Sequence, residues 1–99
     1  MENQHRKISG YRELSQEEID LMNKIKALGP QIEAVILDVQ AHINKQNVAC
    51  MNLGSTPEGL AETNRLDDAT PHRFAALAKT DFQTALMYLT RAVAQPTFF

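Results

Sequence analysis

Between Pro71 and Pro96 the chain repeats apolar residues at three- and four-residue steps: Phe74, Leu77, Ala78, Phe82, Ala85, Leu89, Ala92 and Val93. A strand cannot bury such a set on one side, because its side chains alternate faces, whereas a helix returns to the same face after each turn. Thr70 offers a capping side chain, and Pro71 suits the first helical position, where the missing amide hydrogen costs nothing. The pattern predicts a helix over about residues 71–94 that stops before Pro96. One apolar face then demands a second element to cover it.

That cover comes from the first half of the chain. Ser15 stands three residues before Glu18, the spacing of a capping box, in which each side chain satisfies a backbone donor at a helix start. Glu17, Glu18 and Asp20 then meet the positive end of the helix dipole, and Lys24 and Lys26 its negative end. Ile19, Met22, Ile25 and Leu28 make an apolar stripe. Gly29-Pro30 interrupts it, since proline lacks the amide hydrogen and crowds the preceding turn, so residues 15–45 read as a kinked helix or a helix pair with Pro30 in the first turn of the second. Beyond it Ile32, Val35, Ile36, Val39 and Ile43 form another stripe.

Residues 46–70 lose the pattern at Asn47, Asn52, Gly54, Ser55, Pro57, Gly59 and Asn64. They read as a mobile connector with room for a short helix between Pro57 and Leu66. No strand pattern or internal repeat is visible. The expected class is all-α: a basic N-terminal segment over 1–14, a short N-terminal helix, and a long antiparallel helix hairpin.

A chain of 99 residues makes a single domain, and one this small buries only about two-thirds of the surface its unfolded form exposes. The last helix is also rich in alanine, at Ala75, Ala76, Ala78, Ala85, Ala92 and Ala94. Small side chains allow close approach but bury little area each. A core this lean is completed by self-association, so a homo-oligomer with pockets between subunits is expected.

Several functions are disfavoured. The net charge of -2 lacks the basic excess of a duplex-binding protein. Cys50 is the single cysteine, which excludes an intrachain disulfide and fits a reducing, cytoplasmic setting. Neither a membrane-spanning run nor a secretory leader is apparent. His5, His42 and His72 lack metal-ligand spacing, and the four glycines are scattered rather than gathered into a phosphate loop. Cys50 has no base near it in sequence. Neither catalysis nor a cofactor is implied.

What remains is recognition. "HRKISGYRELSQEEIDLMNKIKALG", residues 5–29, sets a basic strip before the acidic helix start. Tyr11 offers a ring on which a base can stack, or else a hydrophobic staple beside the cap. Arg6, Lys7, Arg12, Lys26, Arg73, Lys79 and Arg91 offer charge-assisted bonds to phosphate. From the residues alone, an oligomeric helical module for a small anion and a protein-interaction module without a ligand both stand.

The stretches "GYRELSQEEIDLMNKIKALG" and "RFAALAKTDFQTALMYLTRAVAQP" sharpen this. They contain, in order, Tyr-Arg-x-Leu, Met-Asn-x-x-Lys, Lys-Thr-Asp-x-Gln-Thr and Arg-Ala-x-Ala-Gln-Pro, over residues 10–29 and 73–96. In these strings the chain resembles the bacteriophage anti-CBASS family of cyclic-nucleotide sponges, related to the Thoeris anti-defence sponges. The resemblance implies a helical hexamer built from dimers. It would hold cyclic di- or trinucleotides uncleaved in the cytoplasm of the infected bacterial host, with no DNA or membrane partner.

It further implies Tyr11 as the base-stacking residue and Lys26 as a phosphate contact, with Arg12 and Lys7 beside them. Arg73, Lys79, Thr80 and Arg91 are candidates for a second site that takes cyclic trinucleotides, although Arg91 equally suits the C-terminal end of its helix dipole. Cyclic ADP-ribose signals are the alternative ligand. Gly29-Pro30 departs from the resemblance, which implies an unbroken helix after that glycine.

Overall fold

The computed structural model describes residues 12–99 and contains three helices: α1 (Gln16–Leu53), α2 (Pro57–Ala69) and α3 (Pro71–Ala94). The all-α expectation holds, and α3 has the bounds that Pro71 and Pro96 suggest. Lys7 and Tyr11, with His5 and Arg6, lie outside the described residues. No helix among the described residues is long and apolar enough to cross a membrane.

Two sequence expectations are corrected. Of the two readings of residues 15–45 the helix pair falls: Pro30 lies inside α1, whose helical run continues from Gln16 to Leu53, past residue 45, without a fresh start. Proline removes one helical hydrogen bond, but the turns on either side keep theirs, and apolar residues on both sides hold the helix. The 46–70 stretch is likewise not a mobile connector, although the short helix allowed between Pro57 and Leu66 is there as α2. The end of α1 and the whole of α2 occupy most of it, because packing outweighs the modest helix propensities of its asparagines.

The chain forms two compact units: one comprises the residues through Gln31 together with Phe82–Phe99, the other Ile32–Asp81. In the Ile32–Asp81 unit, Ile43, Cys50, Leu66 and Ala75 form the buried core. Cys50 from α1 and Leu66 from α2 line one small cleft there, with Thr63 and Met51. Asn44 of α1 meets His72 of α3, their side chains 3.1 Å apart at Oδ1 and Nε2.

The joint between α1 and α2 depends on two glycines. Gly54 adopts a left-handed φ of 59° and its N–H closes α1 onto the Cys50 and Met51 carbonyls at 3.1 and 3.2 Å. Thr56 then caps α2, its Oγ1 accepting the Gly59 N–H at 3.1 Å. At Gly59 a Cβ would stand 2.5 Å from the Gly54 carbonyl oxygen and 3.0 Å from Leu53 Cβ. Backbone cannot step aside as a flexible side chain can. Gly59→Ala should therefore cost about 1–3 kcal/mol, read as a lower urea midpoint. An unchanged midpoint would mean that the turn has room that this geometry denies.

Thr70, the single residue between α2 and α3, carries a left-handed φ of 43° and gives its N–H to Leu66 O at 3.0 Å. Its own carbonyl accepts the Arg73 N–H at 3.1 Å. A β-branched residue is strained there, and a following proline narrows its choices further. The same residue thus ends one helix and starts the next.

In the unit made of the residues through Gln31 and Phe82–Phe99, α1 and α3 run antiparallel. Arg12, just before α1, reaches the carbonyls of Val93 and Ala94 at the end of α3, while Gly29 lies opposite Leu86. Ile19, Met22 and Ile25 of the expected stripe are half-buried, but Leu28 is exposed. None of the described residues in this unit is fully buried.

On α3 the large stripe expected to be core is mostly uncovered: Phe74, Leu77, Phe82 and Leu89 are exposed, Phe74 at 59%. The row that is covered instead includes Ala75, Ala78, Leu86, Thr90 and Val93. On α1, Val35 and Met51 stand 61% and 78% exposed. Periodicity finds apolar stripes but does not tell which face of a helix this chain covers by itself.

Candidate functional site

In the unit that pairs the first half of α1 with the end of α3, the two helices form an open cleft of about 670 Å³. Met22, Asn23, Ile25 and Lys26 line it from α1, and Leu86, Met87, Thr90 and Arg91 from α3. Helical spacing explains the set: positions 22, 25, 26 and 29 recur on one face of α1, as 86, 87, 90, 91 and 94 do on α3. The lining is mostly apolar, with an amide, a hydroxyl and two cations placed on it. That is the make-up of a small-molecule site, in which apolar area gives affinity and a few polar groups fix orientation.

The cations come from opposite helices. Among the described residues the ion pairs are Arg12–Glu18 and Arg65–Glu62, and Lys26 belongs to neither. Arg91, in the last turn of α3, donates from Nη2 to the Phe98 carbonyl oxygen at 3.0 Å. Among the described residues no other partner of its guanidinium is seen. The Thr90 hydroxyl donates to Leu86 O at 2.9 Å, which leaves its oxygen able to accept.

Arg12 closes one end of this unit. It donates from Nε to Ala94 O at 3.2 Å and from Nη2 to Val93 O at 2.8 Å, satisfying two carbonyls that the end of α3 leaves without helical partners. Nη1 donates to Glu18 Oε1 at 3.1 Å, and Nη2 makes a close ion pair with Glu18 Oε2. Glu18 is also the capping-box carboxylate: Oε1 accepts the Ser15 N–H at 2.8 Å, and Ser15 Oγ accepts the Glu18 N–H at 3.2 Å. The sequence revealed the box but not the arginine's attachment, which depends on carbonyls some eighty residues away.

These bonds hold the Glu18 carboxyl down at about 2, first through Arg12 and then through the Ser15 N–H, and they raise the Arg12 guanidinium. A carboxylate whose folded value is depressed stabilises the fold above its ordinary value near 4.5, and that stability disappears as pH falls through about 2. The expected result concerns Glu18→Gln, which keeps a capping side chain but loses the charge. Parent and variant should differ in urea midpoint at neutral pH and converge by about pH 2. A gap that persists in acid would show that the charge is not what matters. Glu62, held low by Arg65, is common to both proteins and cancels.

The proposed second-site residues divide between the units. Arg73, Lys79 and Thr80 lie in the Ile32–Asp81 unit, whereas Arg91 lines the cleft with Lys26. The Arg73 guanidinium carbon sits 5.6 Å from the centre of the Phe74 ring, within cation–π range. Arg73 also lines a small cleft of about 270 Å³ with Asn47, Asp67, Thr70 and His72. Lys79 and Thr80 are exposed and do not line it. His42 is exposed, Cys50 is buried, and no metal-binding group of His, Cys, Asp or Glu is found among the described residues.

Sequence reasoning missed the α3 half of the cleft apart from Arg91. The string Met-Asn-x-x-Lys carried the α1 half, since Met22, Asn23 and Lys26 all line it. Thr90 could have been paired with Arg91 only by knowing which face of α3 turns toward α1.

The family model described as Acb2/Tad1, hairpin domain, matches residues 5–94. The chain is also 45% identical to Anti-CBASS protein 2 of Pseudomonas phage JBD67 over an alignment of 106 residues, which covers 97% of each chain.

Proposed function

The chain belongs to the Acb2/Tad1 hairpin-domain family, and from that membership we propose that it is a phage-encoded sponge for the cyclic oligonucleotide messengers of CBASS immunity. It binds cyclic dinucleotides such as cyclic GMP-AMP, and cyclic trinucleotides as well, and withholds them from host effectors without cleaving them. The observation that carries this is the cleft with Lys26 and Arg91 on opposite helices above an apolar lining. A cyclic dinucleotide has that chemistry in reverse: two phosphates on a ring that also presents two flat bases.

Lys26 binds phosphate, and Tyr11 and Lys7 bring a stacking ring and a further cation from the segment before Arg12. Arg12 belongs to the site through the end of α3. Arg73, Lys79 and Thr80 form the candidate second site for trinucleotides, with Arg91 shared or assigned to the first. Free messenger falls only if sites outnumber it and bind below the effector threshold, for which nanomolar affinity, about -12 kcal/mol, suffices.

A homo-oligomer, most simply a hexamer, completes the pockets. Its support is the uncovered apolar surface at Val35, Met51, Phe74 and Leu89, more than a small monomer usually leaves to water. Light scattering should return a hexamer mass, and a stable, fully helical monomer at micromolar concentration would remove the shared-pocket part of the reading.

Native mass spectrometry against cyclic dinucleotides, cyclic trinucleotides and cyclic ADP-ribose isomers tests the ligand. Dinucleotide adducts are expected. The second reading, a sponge for the cyclic ADP-ribose signals of Thoeris defence, is favoured by the joint family name and wins if only those isomers bind. No adduct with any of them would leave a protein-interaction module.

A further inference from the structure

The cleft between α1 and α3 has a cation on each wall but no fully buried side chain to fix the distance between them. Half-buried side chains such as Ile19, Met22, Ile25, Leu86 and Val93 lie along this unit, Gly29 lies near Leu86, and the Arg12 bonds are a polar tie between the two helix ends. We infer that Arg12 and Glu18 are positioning residues for the cleft, an ionic clasp that sets the spacing of Lys26 and Arg91 and thereby the phosphate spacing the site accepts. This deepens the proposed sponge reading and rests on it.

The geometry assigns Arg12 this role because its three guanidinium nitrogens all donate within the chain, to Glu18, Val93 and Ala94. Planar forks of this kind hold two partners at once in fixed directions, which a lysine cannot do. On α3 the clasp grips Val93 and Ala94, and Ala94 lines the cleft one turn beyond Thr90 and Arg91. On α1 it grips Glu18, about 12 Å along the helix from Lys26. Glu18 is itself seated by the Ser15 N–H at 2.8 Å, so the clasp joins the first turn of one helix to the last turn of the other.

A direct phosphate contact and a clasp predict opposite signs for one substitution. If Arg12 bound phosphate, Glu18→Gln would release it from a competing carboxylate and remove a negative charge near an anionic ligand, and binding would tighten. If Arg12 is a clasp, Glu18→Gln loosens the cleft and binding weakens, although a negative charge has gone. Arg12→Lys separates the two again, since it keeps the charge but loses the fork.

The test is calorimetric titration of cyclic GMP-AMP into the full chain and both variants, with circular dichroism and light scattering confirming that fold and mass are retained. The clasp predicts about tenfold weaker binding for Glu18→Gln and for Arg12→Lys. Parent-like or tighter binding by Glu18→Gln would overturn it, as would full rescue by Arg12→Lys. A parent that binds no cyclic nucleotide would overturn the sponge reading itself, and the positioning role with it, and that outcome is distinct from either variant result.

Discussion

Replacing Lys26 with glutamate should weaken cyclic dinucleotide binding by about 1.5–3 kcal/mol or more, roughly ten- to more than a hundredfold. Lys26 lines the α1 wall of the cleft across from Arg91, and the substitution replaces attraction for phosphate with repulsion at the same place. Lys26→Ala removes the attraction alone and should fall between parent and Lys26→Glu. Neither change should harm the fold: alanine and glutamate are good helix formers, and Lys26 is in neither ion pair among the described residues. Titration beside a helicity measurement checks this. Parent affinity in a well-folded Lys26→Glu would move the phosphate contact elsewhere.

The second large effect is expected at Tyr11. Loss of a stacked base typically costs about 1–3 kcal/mol, so Tyr11→Ala should reach that range, while Tyr11→Phe keeps the ring and should lose less. If Tyr11 is only a hydrophobic staple beside the cap, the order changes in kind: Tyr11→Ala lowers the unfolding midpoint and leaves ligand affinity alone. Measuring both quantities on the same two variants separates stacking from stapling. The two residues also probe different parts of the ligand, since one holds a base and the other a phosphate.

Much of this was legible in the sequence where local chemistry decides. Pro71 and Pro96 bracket α3 because proline is tolerated at a helix start and excluded from its continuation. Ser15 and Glu18 make the box they were read to make, since both partners lie within one turn. Lys26 is expected at the first site and Arg91 at a second one, and the structure instead sets both on one cleft.

What escaped depends on partners distant in sequence. Pro30 suggests a kink or a fresh start because its local penalty is visible, whereas the packing that carries α1 through it is not. The α2 region reads as a connector with room for only a short helix because Gly54 and Gly59 look like breakers. Gly54 ends one helix, and Gly59 lies within the next because a Cβ there would strike Gly54. The attachment of Arg12 is of this kind, since nothing near it in sequence reveals the carbonyls of Val93 and Ala94. The large stripe on α3 looked like core, and in the single chain Phe74, Phe82 and Leu89 are exposed.

Sequestration without cleavage is the central claim, and the fate of a bound messenger tests it most directly. The protein is incubated with a slight molar excess of cyclic GMP-AMP, freed of unbound nucleotide, denatured, and the released material resolved by chromatography. The sponge account predicts that the cyclic dinucleotide returns intact, in proportion to the protein, however long the incubation. Linear products that accumulate with time, or no nucleotide retained at all, would contradict it.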